Sequence, residues 1–224
     1  MGDVKPRRAY RSARRREQAA ATRRAIVEAA RALFVARGYA GTTIDAIAAA
    51  AGVAPVTVYA AFGSKRGVLD RLIAVSLVGD ERPVPLLDRP GPQAVLREPD
   101  PRRQVALFAA DIAGIMERMS PLFEVLRTAA PAEPEVAALL DRLLRERLRG
   151  MRVFVEALAR HGPLRAGLSL EDASESAWTL SSPDLHRLVT VRLGWARDRY
   201  AAWLATTLAG ALLEREAHRS REER

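Results

Sequence analysis

The residues whose types could bind a polar partner concentrate in one stretch of the chain, residues 42–65. This stretch holds three threonines, one tyrosine and one lysine, all with side chains that can donate hydrogen bonds. Lys65 follows Ser64, a capping residue, and lies in the first turn of a predicted helix. Free backbone amides at a helix start favour an anion, so a phosphate there would gain both contacts.

Two short helices joined by a glycine turn are predicted to position these residues. Thr42 and Asp45 have the spacing of a capping box, and apolar residues recur at helical spacing from Ile44. Gly52 suits the end of the first helix and Pro55 the first position of the second. This is the helix-turn-helix pattern, whose second helix can enter the DNA major groove, although an ordinary helical hairpin would show similar periodicity. The outward residues of the second helix are short, uncharged and flat, which permits close approach to base edges: Pro55, Val56, Thr57, Tyr59, Ala60 and Ala61.

The same segment carries an ordered set of residues: Gly38, Tyr39, Thr42, Thr43, Ile44, Ile47, Ala48, Ala51, Gly52, Val53, Thr57, Val58, Tyr59, Phe62, Ser64, Lys65 and Leu69. With this set, roughly residues 20–80 resemble the DNA-binding domain of the tetracycline-repressor-like (TetR/AcrR) family of bacterial transcription regulators. The resemblance implies that Thr57 and its neighbours read bases, and that Thr43, Tyr59 and Lys65 hold phosphates. The chain departs from the family pattern at Ala54, often a capping Ser, and at Ala61, often His or Tyr.

The positive charge of the chain lies almost entirely at this end. Residues 1–80 contain 14 Lys and Arg against 6 Asp and Glu, whereas residues 81–224 are nearly neutral at 22 against 21. Such a basic region could also face RNA or anionic lipid, but the adjacent motif favours double-stranded DNA. Residues 1–18 are predicted to form a disordered basic arm that could wrap DNA through Arg14, Arg15 and Arg16. The candidate DNA contacts are therefore Arg14, Arg15, Arg16, Thr42, Thr43, Pro55, Val56, Thr57, Tyr59 and Lys65.

Residue types that carry out catalysis form no recognisable pattern. The three histidines, His161, His186 and His218, have no metal-ligand spacing, and there is no cysteine to help them. Glycine-rich nucleotide motifs and a G-x-S-x-G nucleophile motif are absent. We therefore expect no enzyme activity, no cofactor and no metal site. The lack of cysteine, of an apolar run long enough to span a membrane and of an apolar signal core leads us to expect a cytoplasmic protein without membrane association.

The periodicity along the chain predicts an all-α protein. After the arm, residues 19–79 form the helix-turn-helix DNA-binding domain, with a first helix from about Ala19 to Arg37 and a fourth from about Lys65 to Val78. Prolines interrupt residues 80–103, which are read as a surface connection with a short helical piece around Gln93–Arg97. Residues 80–216 form a helical-bundle domain for ligand binding and dimerisation, and residues 217–224 a frayed charged tail. Further helices are expected over 102–119, from Pro121, over 134–161, from Ser169, from Ser181 and over 196–214.

Two groups of apolar residues in this second domain are candidates for binding. A pocket for an apolar or aromatic effector could be lined by Phe108, Ile112, Met116, Met119, Phe123 and Trp178, which would otherwise be plain core. The final helices carry more apolar surface than a peripheral position needs, and the resemblance implies that they pair with a second copy in a four-helix bundle. The candidate interface residues are Leu188, Tyr200, Trp203, Thr207 and Ala211, with a single thick core as the alternative.

Together these features predict a homodimeric, sequence-specific transcription regulator. It would more readily be a repressor, bound to an inverted repeat and released by a small-molecule effector. A helical DNA-binding protein without such a ligand, acting architecturally or through a partner protein, is the alternative. Sequence-specific footprints and a ligand-dependent change in affinity would distinguish the two.

Overall fold

The computed structural model describes residues 6–214, with side chains from Arg14 onward, and this part of the chain is all-α as predicted. It contains no strand beyond an isolated β-bridge between Leu164 and Leu213. A 3-10 turn at Leu86–Asp88 precedes α5, and a π-helical turn at Leu188–Arg192 follows α9. The helices are α1 (Pro6–Arg37), α2 (Ile44–Ala51), α3 (Pro55–Phe62), α4 (Lys65–Val78), α5 (Pro90–Arg97), α6 (Pro101–Ala129), α7 (Pro134–His161), α8 (Leu170–Leu180), α9 (Pro183–Arg187) and α10 (Arg197–Leu212).

The chain forms two compact units that differ from the domains expected from the sequence. The first contains the residues up to Val75 together with Glu124–Ala137, and the second contains Ser76–Phe123 and the chain from Ala138 onward. The sequence boundaries had assigned residues 124–137 to the second domain. Residues 124–137 belong to the first unit through contacts between distant parts of the sequence, which periodicity does not reveal. One of these is the hydrogen bond that Arg66 donates to the backbone carbonyl of Glu135.

The first helix begins earlier than the sequence analysis expected. α1 starts at Pro6 instead of Ala19, so the prediction of a disordered arm is wrong for residues 6–18. Residues 6–18 contain six Arg and two Ala, which favour helix over coil even without an apolar stripe. Pro6 stands at the first helical position, where its missing amide costs nothing. Residues 1–5 of the predicted arm and the predicted frayed tail over 217–224 lie outside the described residues.

One long helix replaces two predicted ones in the middle of the chain. α6 continues through Pro121, although an interior proline removes a backbone hydrogen bond at a cost of about 3 kcal/mol. The side chains of Met119, Leu122 and Leu126 around it are fully buried. Burial of each such side chain contributes about 1.5–3 kcal/mol, which offsets the loss at Pro121. In the same region, the short helix predicted around Gln93–Arg97 is confirmed as α5 but begins three residues earlier.

No single helix among the described residues is long and apolar enough to cross a membrane. Within the same described residues, one bent pair, α2 and α3, reaches that length and composition when combined, across a bend of 106°.

Candidate nucleic-acid interface and ligand cavity

The helix-turn-helix pair is held by a compact core in the first unit. Ile26, Ala30 and Phe34 of α1 are fully buried, as are Ile47 of α2 and Val58 of α3. Phe34 also stacks on Tyr39, with ring centroids 5.7 Å apart. Val27 is buried as well, whereas Leu33 is half-exposed. This core fixes α2 and α3 at an angle of 106°.

The turn between the two helices has the chemistry that the sequence predicted. Gly52 adopts the left-handed conformation with φ 67°, and its amide donates to the carbonyls that end α2. A side chain at this φ would be strained, which explains the glycine. Pro55 opens α3, and the preceding Ala54 has an extended N-cap conformation without a side-chain hydrogen bond. The side-chain cap that the family pattern often has at this position is therefore missing.

The missing cap at Ala54 leads to a stability prediction. Replacing Ala54 by Ser should raise the free energy of unfolding by about 1 kcal/mol, because the hydroxyl can accept a hydrogen bond from a free amide of α3. The backbone at this position already has a suitable N-cap conformation. Thermal unfolding of Ala54→Ser and wild type, followed by circular dichroism, measures the gain. Ala54→Val, which adds bulk without an acceptor, is the matched control and should not stabilise the protein.

The outer surface of α3 is exposed, uncharged and free of long side chains. Val56 and Tyr59 are 70% and 53% exposed, Pro55 is also exposed, and Thr57 is half-exposed beside the buried Val58. The structure thus brings Pro55, Val56, Thr57 and Tyr59 together on the accessible side of one short helix.

Thr43, and not Thr42, caps α2. Thr43 is the N-cap of α2 and its hydroxyl accepts the amide of Ala46 at 3.1 Å, so Asp45 is not part of a capping box with Thr42. Thr42 is fully buried and its hydroxyl donates to the carbonyl of Gly38 at 2.8 Å. The interpretation of Thr42 as a DNA contact is therefore wrong, because the side chain has no accessible surface.

Lys65 has a structural partner that the sequence did not suggest. Its Nζ donates to the backbone carbonyl of Tyr39 at 3.0 Å and lies 4.1 Å from the centroid of the Tyr39 ring. Next to it, Ser64 caps α4 by accepting the amide of Gly67 at 3.0 Å, as predicted. An ammonium has three donor hydrogens, so a phosphate contact by Lys65 would use those that Tyr39 leaves.

The arginines of the expected arm are part of α1. Arg14, Arg15 and Arg16 are all exposed. Successive residues of an α-helix point about 100° apart, so these three side chains leave the helix in different directions. They do not present one common surface, and any contact with DNA would involve a subset of them.

The second unit contains an apolar cavity of about 70 Å³. Phe108 of α6 and Phe154 of α7 stack beside it, with parallel rings 3.8 Å apart. Of the predicted pocket residues, Phe108 and Ile112 line this cavity, but Met116, Met119, Phe123 and Trp178 do not. Met116, Met119 and Phe123 are instead buried core, and Trp178 lies under the Arg147 guanidinium, 4.9 Å from ring centroid to Cζ. The residues that sequence reasoning missed are Leu86, Leu87, Pro92, Val95, Leu96, Asp111, Ile115, Gly150, Met151, Val153 and Phe154.

Arg147 and its neighbours form a buried polar cluster. The guanidinium donates to the carbonyl of Trp178 and, at 2.9 Å, to the hydroxyl of Ser181. Burial lowers the pKa of Arg147 to about 10, and burial raises the pKa of the nearby Tyr200 hydroxyl to about 12. Ser181, read as a helix cap from the sequence, is buried and donates to the carbonyl of Ala177, so the N-cap of α9 is Ser182.

The predicted dimer surface is only partly accessible. Tyr200 is fully buried, stacked edge-on against His186 at 4.9 Å, so its assignment to an interface is wrong. Trp203, Thr207 and Ala211 are half-exposed on the adjacent side of α10, while Leu204, Leu208 and Leu212 form its buried side. Leu188 is 52% exposed at the π-helical turn, and Val191 and Leu193 beside it are more exposed still.

Comparison with known proteins agrees with the helix-turn-helix geometry. Residues 26–72 match the family model of bacterial regulatory proteins of the tetR family. The chain is 29% identical over 168 residues to the HTH-type transcriptional repressor BepR of Brucella suis biovar 1 (strain 1330), which covers 72% of this chain and 78% of that protein. The helix-turn-helix of this chain, residues 26–72, is thus of the type found in the TetR family of transcriptional regulators.

Solved structures share the fold over nearly the whole chain. The regulator FadR from Bacillus subtilis, solved in complex with stearoyl-CoA, superposes with a TM-score of 0.67 at 16% identity, covering 84% of this chain and 97% of that one. The repressor SmeT of Stenotrophomonas maltophilia, solved with triclosan, gives a TM-score of 0.63 at 20% identity, covering 87% and 92%. At these sequence identities, the similarity to the two structures concerns the fold alone.

Proposed function

We propose that this protein is a homodimeric TetR-family repressor that binds an inverted-repeat operator and is released from it by a small apolar or aromatic effector. The observation that carries the proposal is the exposed outer surface of α3, Pro55, Val56, Thr57 and Tyr59. Short uncharged side chains on an accessible recognition helix allow close contact with base edges in the major groove. The relative BepR is named a repressor, which supports that sign of regulation.

The distribution of charge supports DNA as the partner. A helix-turn-helix reads bases only after the phosphates have fixed its position, and the first 80 residues carry the excess of Lys and Arg. In our proposal Thr43, Tyr59 and Lys65 contact phosphates, with exposed arginines of α1 adding non-specific attraction. Binding to the chromosome is also the reason to propose a cytoplasmic location.

The dimer and the effector belong to the second unit in this proposal. One short recognition helix reads few base pairs, so a pair of them related by two-fold symmetry is needed for a specific site. The half-exposed Trp203, Thr207 and Ala211 and the exposed Leu188 supply apolar surface for pairing. The cavity beside Phe108 and Phe154 supplies the effector site, and FadR and SmeT were solved with stearoyl-CoA and triclosan. α4 continues from the first unit into the second, which makes it the element through which effector binding would reach the DNA-binding helices.

Thr57 provides the test of base reading. Replacing Thr57 by Val keeps the shape of the side chain but removes its hydroxyl, so we expect the preferred operator sequence to change at one position per half-site, with a loss of about 1–3 kcal/mol on the original base pair. Lys65→Ala should instead weaken binding to all sequences alike and reduce its salt dependence. Electrophoretic mobility shifts on operator variants at two salt concentrations measure both. An unchanged preference in Thr57→Val would show that bases are read elsewhere.

A further inference from the structure

The apolar cavity of the second unit opens beside a polar one, and a single carboxylate lies at their junction. The polar cavity has a volume of about 230 Å³. Asp111 of α6 is the one charged residue among the described residues that line the apolar cavity. The two cavities share the lining residues Leu86, Pro92, Asp111 and Ile115. A ligand bound in the apolar cavity and extending into the polar one would therefore lie beside Asp111.

The other charged groups of the polar cavity already have partners. Asp80 accepts hydrogen bonds from both terminal nitrogens of Arg89, at 2.8 and 2.9 Å. It also accepts one from the Nε of Arg82 at 2.8 Å. Arg89 also donates to the backbone carbonyls of Val84 and Arg82. Arg118 donates from its Nε to the carbonyl of Ser76 at 2.7 Å. The hydrogen bonds of these arginines thus stabilise the loop before α5 and the end of α4.

Asp111 differs from these groups because its carboxylate has no hydrogen bond or ion pair with another described residue. It lies against the first turn of α5, where a Cβ placed on Gly91 would be 2.5 Å from its Oδ1. A helix start normally offers amides to a carboxylate, but the neighbouring Pro90 and Pro92 have none. The half-exposed carboxylate therefore lies close to the backbone of Gly91, and its oxygens remain available to a ligand in the cavity.

The electrostatics of Asp111 reflect partial burial next to a single cationic neighbour, Arg118. Burial raises the pKa of the Asp111 carboxyl above its usual range, and the positive charge of Arg118 opposes that rise without cancelling it. Partial burial makes the charged form of this carboxyl less favourable, and a cation brought within contact distance offsets that effect.

From this geometry we propose that the ligand of this cavity is an amphipathic amine, with a short alkyl chain or single ring beside Phe108 and Phe154 and a protonated nitrogen against Asp111. This proposal rests on the ligand-controlled function above and narrows its effector class. The size of the apolar part fits, because its volume is several times the roughly 10–15 Å³ that one water needs and far below that of a polycyclic ligand. The amine hydrogens that do not donate to Asp111 would face the polar cavity, where solvent can accept them.

Three matched probes test the proposal with the full-length protein: benzylamine, benzyl alcohol and benzoate. Isothermal titration at one pH and salt concentration gives the dissociation constant of each. We expect benzylamine to bind about tenfold or more tightly than benzyl alcohol, because charge-assisted hydrogen bonds are roughly twice as strong as neutral ones. Asp111→Asn should abolish this preference while leaving the affinity for benzyl alcohol unchanged. Asp141→Asn, which removes the same charge from the exposed face of α7, is the matched control and should keep the preference.

The outcomes separate this proposal from the function on which it rests. Equal affinity for the amine and the alcohol, a preference for benzoate, or no binding of any probe would overturn the amine assignment, even if operator binding is intact. A preference for benzylamine that depends on Asp111 but leaves operator affinity unchanged would support the cavity assignment and contradict release by an effector. If Asp111→Asn does not fold, the relative affinities of the wild-type protein for the three probes still test the amine assignment.

Discussion

Replacing Val56 by Glu should reduce DNA affinity at least about 100-fold while leaving the fold intact. Val56 is 70% exposed on α3, so the new carboxylate stays in water in the free protein. In the complex it would face phosphates and base edges, and like charges brought together at an interface cost several kcal/mol, with each 1.4 kcal/mol worth about tenfold. Fluorescence anisotropy with labelled DNA at fixed salt measures the loss.

Val35→Glu is the matched control for this experiment. Val35 is also an exposed valine of the first unit, 49% accessible on α1, and the substitution changes net charge by the same amount. We expect its DNA affinity to fall only by the small factor that one charge contributes at a distance. Equal losses in the two variants would show that α3 is not the DNA-contacting helix.

Replacing Phe34 by Ala should destabilise the first unit by about 3–5 kcal/mol, the usual cost of truncating a buried phenylalanine. Phe34 is fully buried in α1 and stacks on Tyr39, whose carbonyl holds Lys65. Its loss leaves a cavity under the helix-turn-helix pair and removes the support of the turn before α2. Urea unfolding followed by circular dichroism measures the change, with DNA binding as a second readout.

Val35→Ala is the control for this stability experiment. It removes an apolar group from the next residue of the same helix, at an exposed position, and should change the free energy of unfolding by about 0.5 kcal/mol or less. If Phe34→Ala and Val35→Ala are equally stable, the core of the first unit does not depend on the packing described above.

The helix-turn-helix could be predicted because its signals are local. Gly52 and Pro55 restrict the backbone wherever they occur, and together they determine where α2 ends and α3 begins. The family model that matches residues 26–72 bears out this part of the sequence analysis. The predicted helix start at Ser169 is confirmed, whereas those at Thr42 and at Ser181 were placed one residue early. In each of the latter two cases two adjacent residues could cap, and the first hydroxyl instead bonds a carbonyl four residues back.

Features that depend on packing between distant segments could not be read in this way. The periodicity of α10 gives two apolar sides without showing which one is buried, so Tyr200 was assigned to an interface although it is fully buried. The cavity is formed where α5, α6 and α7 meet, and no local pattern places Val95 and Phe154 beside Phe108. The position of Asp111 at the cavity also has no signal in the sequence, where it is one more polar residue in an amphipathic helix.

Selection of bound DNA from a random duplex library by the purified protein tests the central claim most directly. Our account predicts enrichment of an inverted repeat, with two half-sites related by two-fold symmetry and spaced to suit two copies of α3 on one face of the duplex. Such a result would establish sequence reading and dimeric binding in one measurement. Salt-sensitive binding without any enriched sequence would contradict the operator-binding function, and absence of DNA binding would contradict the assignment of α3 as a recognition helix.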